Sequence, residues 1–217
     1  VKEGTIVAGL VPNCAETVIS MLAVSSLGGV WTSCSPDFGA NGVVDRFGQV
    51  NPHILITSNG YSYNGKLFKL EEKVNGVLES IDSIRHIVEI EYFDIKSNFN
   101  HDSIISFGDI LNDEQTQPTF EQLPFDHPLF IMYSSGTTGP PKSIVHSSGG
   151  TLIQHMKEHQ LHCDIKAGKS TMFWFTTCGW MMWNWLVSGL SSGSTIVLYD
   201  GSPSYPSLER LWKMIDD

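Results

Sequence analysis

The segment Tyr133-Ser-Ser-Gly-Thr-Thr-Gly-Pro-Pro-Lys142 puts two serines, two threonines and two glycines into six positions and adds a lysine three residues on. Such a run makes poor core and poor helix, but it suits a polyanion. Glycines let backbone N–H groups turn inward and approach closely. Hydroxyls donate to phosphate oxygens, and a lysine supplies a point charge at the rim. The apolar run Leu129-Phe-Ile-Met-Tyr133 just ahead of it starts after Pro128 and has the length of a buried strand. A phosphate-binding loop accounts for the strand and the lysine, whereas an ordinary Ser/Gly-rich surface turn accounts only for the glycines. A Walker loop, Gly-x-x-x-x-Gly-Lys-[Ser/Thr], needs glycine directly before its lysine. Pro141 holds that place here and has no N–H to offer.

Other residue types prone to chemistry are less decisive. His155, His159 and His162 fall at i, i+4 and i+7 and share one face of a helix. Zinc would need HExxH order or an aligned carboxylate, and neither is there, so a packed or solvated histidine face is expected and no metal. His146 lies near enough to the loop to assist binding or to serve structure. The four cysteines, Cys14, Cys34, Cys163 and Cys178, form no C-x-x-C pair, which fits reduced thiols in a cytoplasmic setting. A net charge of −10 over 217 residues, without a Lys/Arg run, argues against a nucleic-acid partner. No apolar stretch reaches membrane-span length, so no membrane partner is expected.

The elements that must position the loop alternate in type. Strands are expected over residues 5–11, 30–32, 53–57, 85–90, 129–133, 143–146, 172–176 and 195–199. A helix over 14–27, capped by Asn13 and Glu16, turns Val18, Leu22 and Val24 inward and stops at Gly28-Gly29. Further helices are expected from the turn at Ser35-Pro36-Asp37 to about 50, over 66–81, over 151–162 with Thr151 and Gln154 as cap, and from Trp180 to 190. A last one, from about Pro206, points Leu208, Leu211, Trp212 and Ile215 inward. Strands alternating with helices predict an α/β fold with mostly parallel sheets flanked by helices. Residues 1–125 form a first subdomain that includes an irregular connection over about 91–125. Residues 126–217 form a second, incomplete one that carries the loop. Opening at Val1 without methionine and stopping inside a helical pattern, the sequence reads as a piece of a longer chain.

The order Ser-Ser-Gly-Thr-Thr-Gly-x-Pro-Lys resembles the signature loop of the adenylate-forming enzymes, the superfamily of acyl-CoA synthetases, luciferases and peptide synthetases. The likeness extends over nearly the whole chain. It includes Val11-Pro12-Asn13, Gly28-Gly29-Val30, Phe38-Gly39-Ala40, Asp45-Arg46-Phe47, Val145-His146, Gly149-Gly150, Cys178-Gly179-Trp180 and Tyr199-Asp-Gly-Ser-Pro203, and is nearest to the acetoacetate-activating branch. The resemblance implies the large N-terminal domain of such an enzyme and two half-reactions. ATP and a carboxylate give an acyl-adenylate and pyrophosphate, and coenzyme A then displaces AMP.

By that resemblance Ser134, Ser135, Gly136, Thr137, Thr138 and Gly139 cradle the phosphates of ATP. Lys142, the catalytic residue, neutralises the departing pyrophosphate, and magnesium accompanies the nucleotide. Trp180, Met181 and Met182 match positions beside the acyl pocket, although aromatic and Met residues at helical spacing are also ordinary core; Trp183 and Trp185 read as packing. The family's magnesium acid, its ribose aspartate and the catalytic lysine of its mobile C-terminal domain fall beyond residue 217, so this stretch alone is not expected to catalyse adenylation. The alternatives are a phosphate-loop NTPase and a non-catalytic nucleotide-binding fragment. Pro141 and the Gly179-Trp180 pair favour the ligase.

Overall fold

The computed structural model describes residues 1–111, 117–134 and 139–216. The chain runs β1 (Ile6–Leu10), α1 (Ala15–Ser26), β2 (Val30–Cys34), α2 (Ala40–Phe47), β3 (Ile54–Ser58), β4 (Gly60–Tyr63), β5 (Lys66–Lys69), α3 (Glu71–Ser80) and β6 (His86–Ile90). It continues with β7 (Ile104–Ser106), α4 (Phe107–Ile110), β8 (Pro128–Tyr133), β9 (Ser143–Ser147), α5 (Ser148–Lys157), β10 (Thr171–Phe173), α6 (Met181–Ser188), β11 (Thr195–Val197) and α7 (Arg210–Asp216). A π-helical turn over Glu158–His162 extends α5, and a 3-10 turn over Gly189–Ser192 extends α6.

Seven strands make one sheet in the order β7-β6-β3-β1-β2-β8-β9. Every neighbouring pair is parallel except β8 and β9, which form an antiparallel edge hairpin. The apolar runs of β1, β2 and β3 suit strands covered on both faces. On one face Val18, Met21 and Val24 of α1 and Trp183 and Val187 of α6 meet Val7, Trp31, Ile56 and Phe130. On the other, Val43 and Phe47 of α2 and Val74 and Val77 of α3 meet Ala8, Leu10, Leu55 and Ile87. Beyond α6, Trp185 and Leu186 pack with Met172 and Ile196 of the small parallel sheet β10–β11. The result is the expected mixed α/β architecture. β8 and β9 lie in the same sheet as the strands of residues 1–106, although the expected boundary at 126 precedes them. No helix of the described residues is long and apolar enough to cross a membrane.

Several local expectations give way to the structure. Lys66–Lys69 is a strand, not the start of a helix, because Asn64 (φ 49°) and Gly65 (φ 72°) make the left-handed turn that pairs it with β4. The irregular connection contributes β7 and α4; its residues 112–116 lie outside the described ones. Asn13 does not cap α1; Cys14 is the N-cap residue, with no side-chain capping bond, while Leu22 is exposed. The helix expected from 151 starts at Ser148, with Gly149 and Gly150 in the first turn of α5. The amides of Ser148 and Gly149 donate to His127 O (2.8 Å) and Phe125 O (3.0 Å), so the helix start is already satisfied, and Gln154 bonds Glu158 instead of capping. The last helix starts only at Arg210, so Leu208 (84% exposed) precedes it; within α7 no residue is buried, Trp212 and Ile215 being exposed and Leu211 only half-buried.

Candidate functional site

The carboxyl ends of β6, β3, β1, β2 and β8 share one edge of the sheet. From β1 the chain crosses to β2 on one side, and from β3 it crosses to β6 on the other. Ligands of open α/β sheets bind outside such a carboxyl edge. The β8–β9 loop leaves from it. Tyr133 faces Ser143 in the ladder, and the pairing continues one step outward: Ser134 N donates to Lys142 O (2.9 Å), and Lys142 N donates to Ser134 Oγ (3.0 Å). Ser134 Oγ keeps its own proton to donate elsewhere. Gly139 and the Lys142 side chain are exposed, and Ser135, Gly136, Thr137 and Thr138 lie outside the described residues.

Behind the loop root, Thr32 Oγ1 donates to Ile131 O (2.9 Å) and bonds the Tyr133 hydroxyl (3.0 Å). Burial pushes the Tyr133 phenol well above its usual range, so it stays neutral. The Arg46 guanidinium lies 4.8 Å from the Phe38 ring centre and 6.0 Å from that of Tyr133. Just past α2, the carboxamide of Gln49 donates from Nε2 to Asp45 O (2.5 Å) and Pro141 O (2.7 Å) and accepts at Oε1 from Ser143 N (3.2 Å). Gln49 and Arg46 had no role assigned from the sequence. Gln49 and Pro141 are 92 positions apart, and no local pattern joins them.

The segment Cys178-Gly179-Trp180 is sewn to the same edge. Ser33 Oγ donates to Cys178 O (2.7 Å) and Cys178 Sγ to Pro12 O (3.3 Å). Gly179 packs closely there: a Cβ would lie 2.9 Å from the Phe38 ring and 3.3 Å from Ser35 N, so a larger residue would have to displace the ring. Asn13 joins α6 to the strand edge by accepting from Trp183 Nε1 (2.9 Å) and donating to Tyr199 O (3.2 Å). Burial pushes the Asp200 carboxyl up, opposed by backbone amides at Asn13 and Gly201. Trp180 is 56% exposed, Met181 packs with the Trp31–Trp183 core, and Met182 packs with Trp185 and Leu186. Met181 and Met182, successive residues of α6, point about 100° apart, and Trp180 precedes them as the extended N-cap, so the three face different surroundings.

The histidine face is mostly interior. His155 is 2% exposed and bonds Ser188 Oγ through Nδ1 (2.8 Å). His159 is 0% exposed, its ring 4.7 Å from that of Trp185, and its nitrogens find no hydrogen-bond partner among the described residues. Burial lowers both imidazoles, His155 to about 4. His162 is exposed, and among the described residues no three His, Cys, Asp or Glu side chains gather as metal ligands. His146 packs its ring 5.0 Å from that of Phe130.

A strand-to-hairpin loop at the carboxyl edge of a parallel sheet is thus in place, and residues 1–217 match the family model described as AMP-binding enzyme. The chain belongs to the AMP-binding enzyme family. Among relatives in this family, the acetoacetyl-coenzyme A synthetase of Rhizobium meliloti is 50% identical over 207 residues, covering 95% of this chain and 32% of that protein. The acetoacetyl-CoA synthetase of Xenopus tropicalis is 46% identical over 225 residues, covering 100% of this chain and 33% of its own length. A malonamoyl-CoA synthetase of Penicillium aethiopicum is 44% identical over 211 residues, covering 92% of this chain and 28% of that protein. The solved structure of the acetoacetyl-CoA synthetase from Streptomyces lividans matches with a TM-score of 0.93 at 45% identity, covering 99% of this chain and 32% of that one. The chain spans about a third of the length of these relatives. Its architecture is that of the N-terminal domain of adenylate-forming enzymes.

Proposed function

We propose that this chain is part of an ATP-dependent acid–thiol ligase that activates acetoacetate, or a carboxylate of similar size, as its adenylate and transfers the acyl group to coenzyme A. The observation that carries this is the root of the β8–β9 loop, where Lys142 is held against Ser134 by two hydrogen bonds at the carboxyl edge of the sheet, in a member of the AMP-binding enzyme family. The choice of acid rests on the names of the relatives.

In the first half-reaction a carboxylate oxygen attacks the α-phosphorus of ATP, the α–β phosphoanhydride bond breaks, and pyrophosphate leaves. In the second the coenzyme A sulfur attacks the acyl carbon, its proton is lost, and AMP leaves with the carboxylate oxygen. Such chemistry asks a protein for positioning and charge neutralisation rather than a covalent intermediate. Ser134, Ser135, Gly136, Thr137, Thr138 and Gly139 hold the phosphates. The Lys142 ammonium meets the charge that develops on pyrophosphate. Trp180, Met181 and Met182 border the acyl group. Magnesium enters with ATP as part of the substrate, and its protein ligands come from the longer chain, to which the complete activity belongs.

The test is ATP–pyrophosphate exchange by the full-length protein with acetoacetate, acetate, longer acids or none. Exchange that needs acetoacetate supports both the chemistry and the acid. Phosphate release that ignores the acid, without exchange, would overturn the proposal in favour of an NTPase.

A further inference from the structure

We propose that Gln49 is a positioning residue for adenylation, acting through Lys142; this rests on the ligase proposal above. Among the described residues β9 is the last strand of the sheet, and no strand of them bonds its outer side. Lys142 sits at its start, where the inner side is already used by Ser134. On the outer side the Gln49 carboxamide donates to Pro141 O and accepts from Ser143 N–H, bracketing Lys142. One donor and one acceptor given to the residues before and after a central one is the pattern that a parallel strand offers. The side chain thus does the work of a one-residue strand at the position where the loop ends.

The orientation of the amide is fixed by its partners. Nε2 faces two carbonyls, those of Asp45 and Pro141, and Oε1 faces an N–H, so a flipped amide would set donor against donor and acceptor against acceptor. The Asp45 bond ties the carboxamide to the last turn of α2, and Gln49 N is itself held by Arg46 O (3.2 Å). α2 in turn is anchored through Val43 and Phe47, both fully buried. A lysine side chain has many rotamers, so what the fold can fix is the backbone from which it starts. Gln49 and Ser134 fix it from opposite sides.

The experiment is a double-mutant cycle in the full-length enzyme, read by acid-dependent ATP–pyrophosphate exchange. Gln49→Leu removes all three bonds at similar volume. Gln49→Glu keeps the acceptor for Ser143 N–H but turns an oxygen toward two carbonyls. Both variants are expected to lower kcat about ten- to a hundredfold, as small misplacements of catalytic groups do, with the KM for the acid changed by less than about twofold. In a Lys142→Ala background, Gln49→Leu is expected to add less than about twofold, because its effect passes through the missing ammonium. An equal loss in both backgrounds, or wild-type kcat in Gln49→Leu, would overturn the inference while leaving the ligase proposal intact. No exchange by the wild-type enzyme would overturn the ligase proposal and this inference with it.

Discussion

The root of the β8–β9 loop and the cluster beneath α5 and α6 hold side chains of comparable chemical promise under opposite conditions. At the loop root, Ser134 N–H and Oγ both bond the backbone of Lys142, Gln49 holds the residues on either side of Lys142, and the lysine side chain is left in solvent. Beneath α5 and α6, His155 and His159 lie against each other and against Trp185, shut from water and held neutral by burial. Three histidines in a row look more reactive than a serine and a lysine. What separates the two regions is where the sheet puts them. The carboxyl edge of a parallel sheet leaves polar groups open and pre-arranged, whereas the interior spends the same types on packing.

The largest effect should come from breaking the packed side. Trp183→Ala empties a fully buried site and strands Asn13 Oδ1, and should destabilise the fold by about 3–5 kcal/mol in denaturant unfolding. Next, Lys142→Ala should lower kcat/KM for exchange by an amount worth about 2–4 kcal/mol of transition-state stabilisation, with an unchanged unfolding midpoint. A matching loss of stability would blur the comparison. The histidine cluster should reveal itself through pH. His155 titrates at about 4 when folded against an ordinary 6.5, so the unfolded chain binds the extra proton between those values. Its contribution is full above 6.5 and is lost as pH falls toward 4, on the order of 1–2 kcal/mol between pH 7 and 5. Urea midpoints across that range measure it, and His155→Gln should flatten the profile. Smallest is Ser134→Ala, which takes the acceptor from Lys142 N–H and should cost about 0.5–1.5 kcal/mol in exchange.

How much was legible in the sequence divides along the same line. The strands that became β1, β2, β3, β6 and β8 show as apolar runs because both faces of a parallel sheet are covered, whereas β9, an antiparallel edge strand with Ile144 and Val145 exposed, shows only as a brief extended stretch. The loop shows because its composition suits nothing else. Asn64-Gly65 signals the β4–β5 hairpin, but the run after it reads equally well as the head of α3. Short β7 lacks an apolar run long enough to stand out. The outward face of α7 and the exposure of Leu22 depend on which elements lie opposite, and periodicity carries no information on that. Asn13 reads as a cap because Glu16 stands three residues after it, yet its partners are Trp183 and Tyr199. Gln49 left no trace, since its meaning depends entirely on an edge strand that forms far along the chain.

The central claim is that an acid is activated as its adenylate at the β8–β9 loop, and isotope transfer tests it most directly. Full-length enzyme is supplied with ATP, coenzyme A and acetoacetate labelled with oxygen-18 in the carboxylate, and the AMP is weighed. The account predicts AMP carrying one labelled oxygen, formed far more slowly by Lys142→Ala. Unlabelled AMP, or nucleotide hydrolysis at the same rate without the acid, would contradict it.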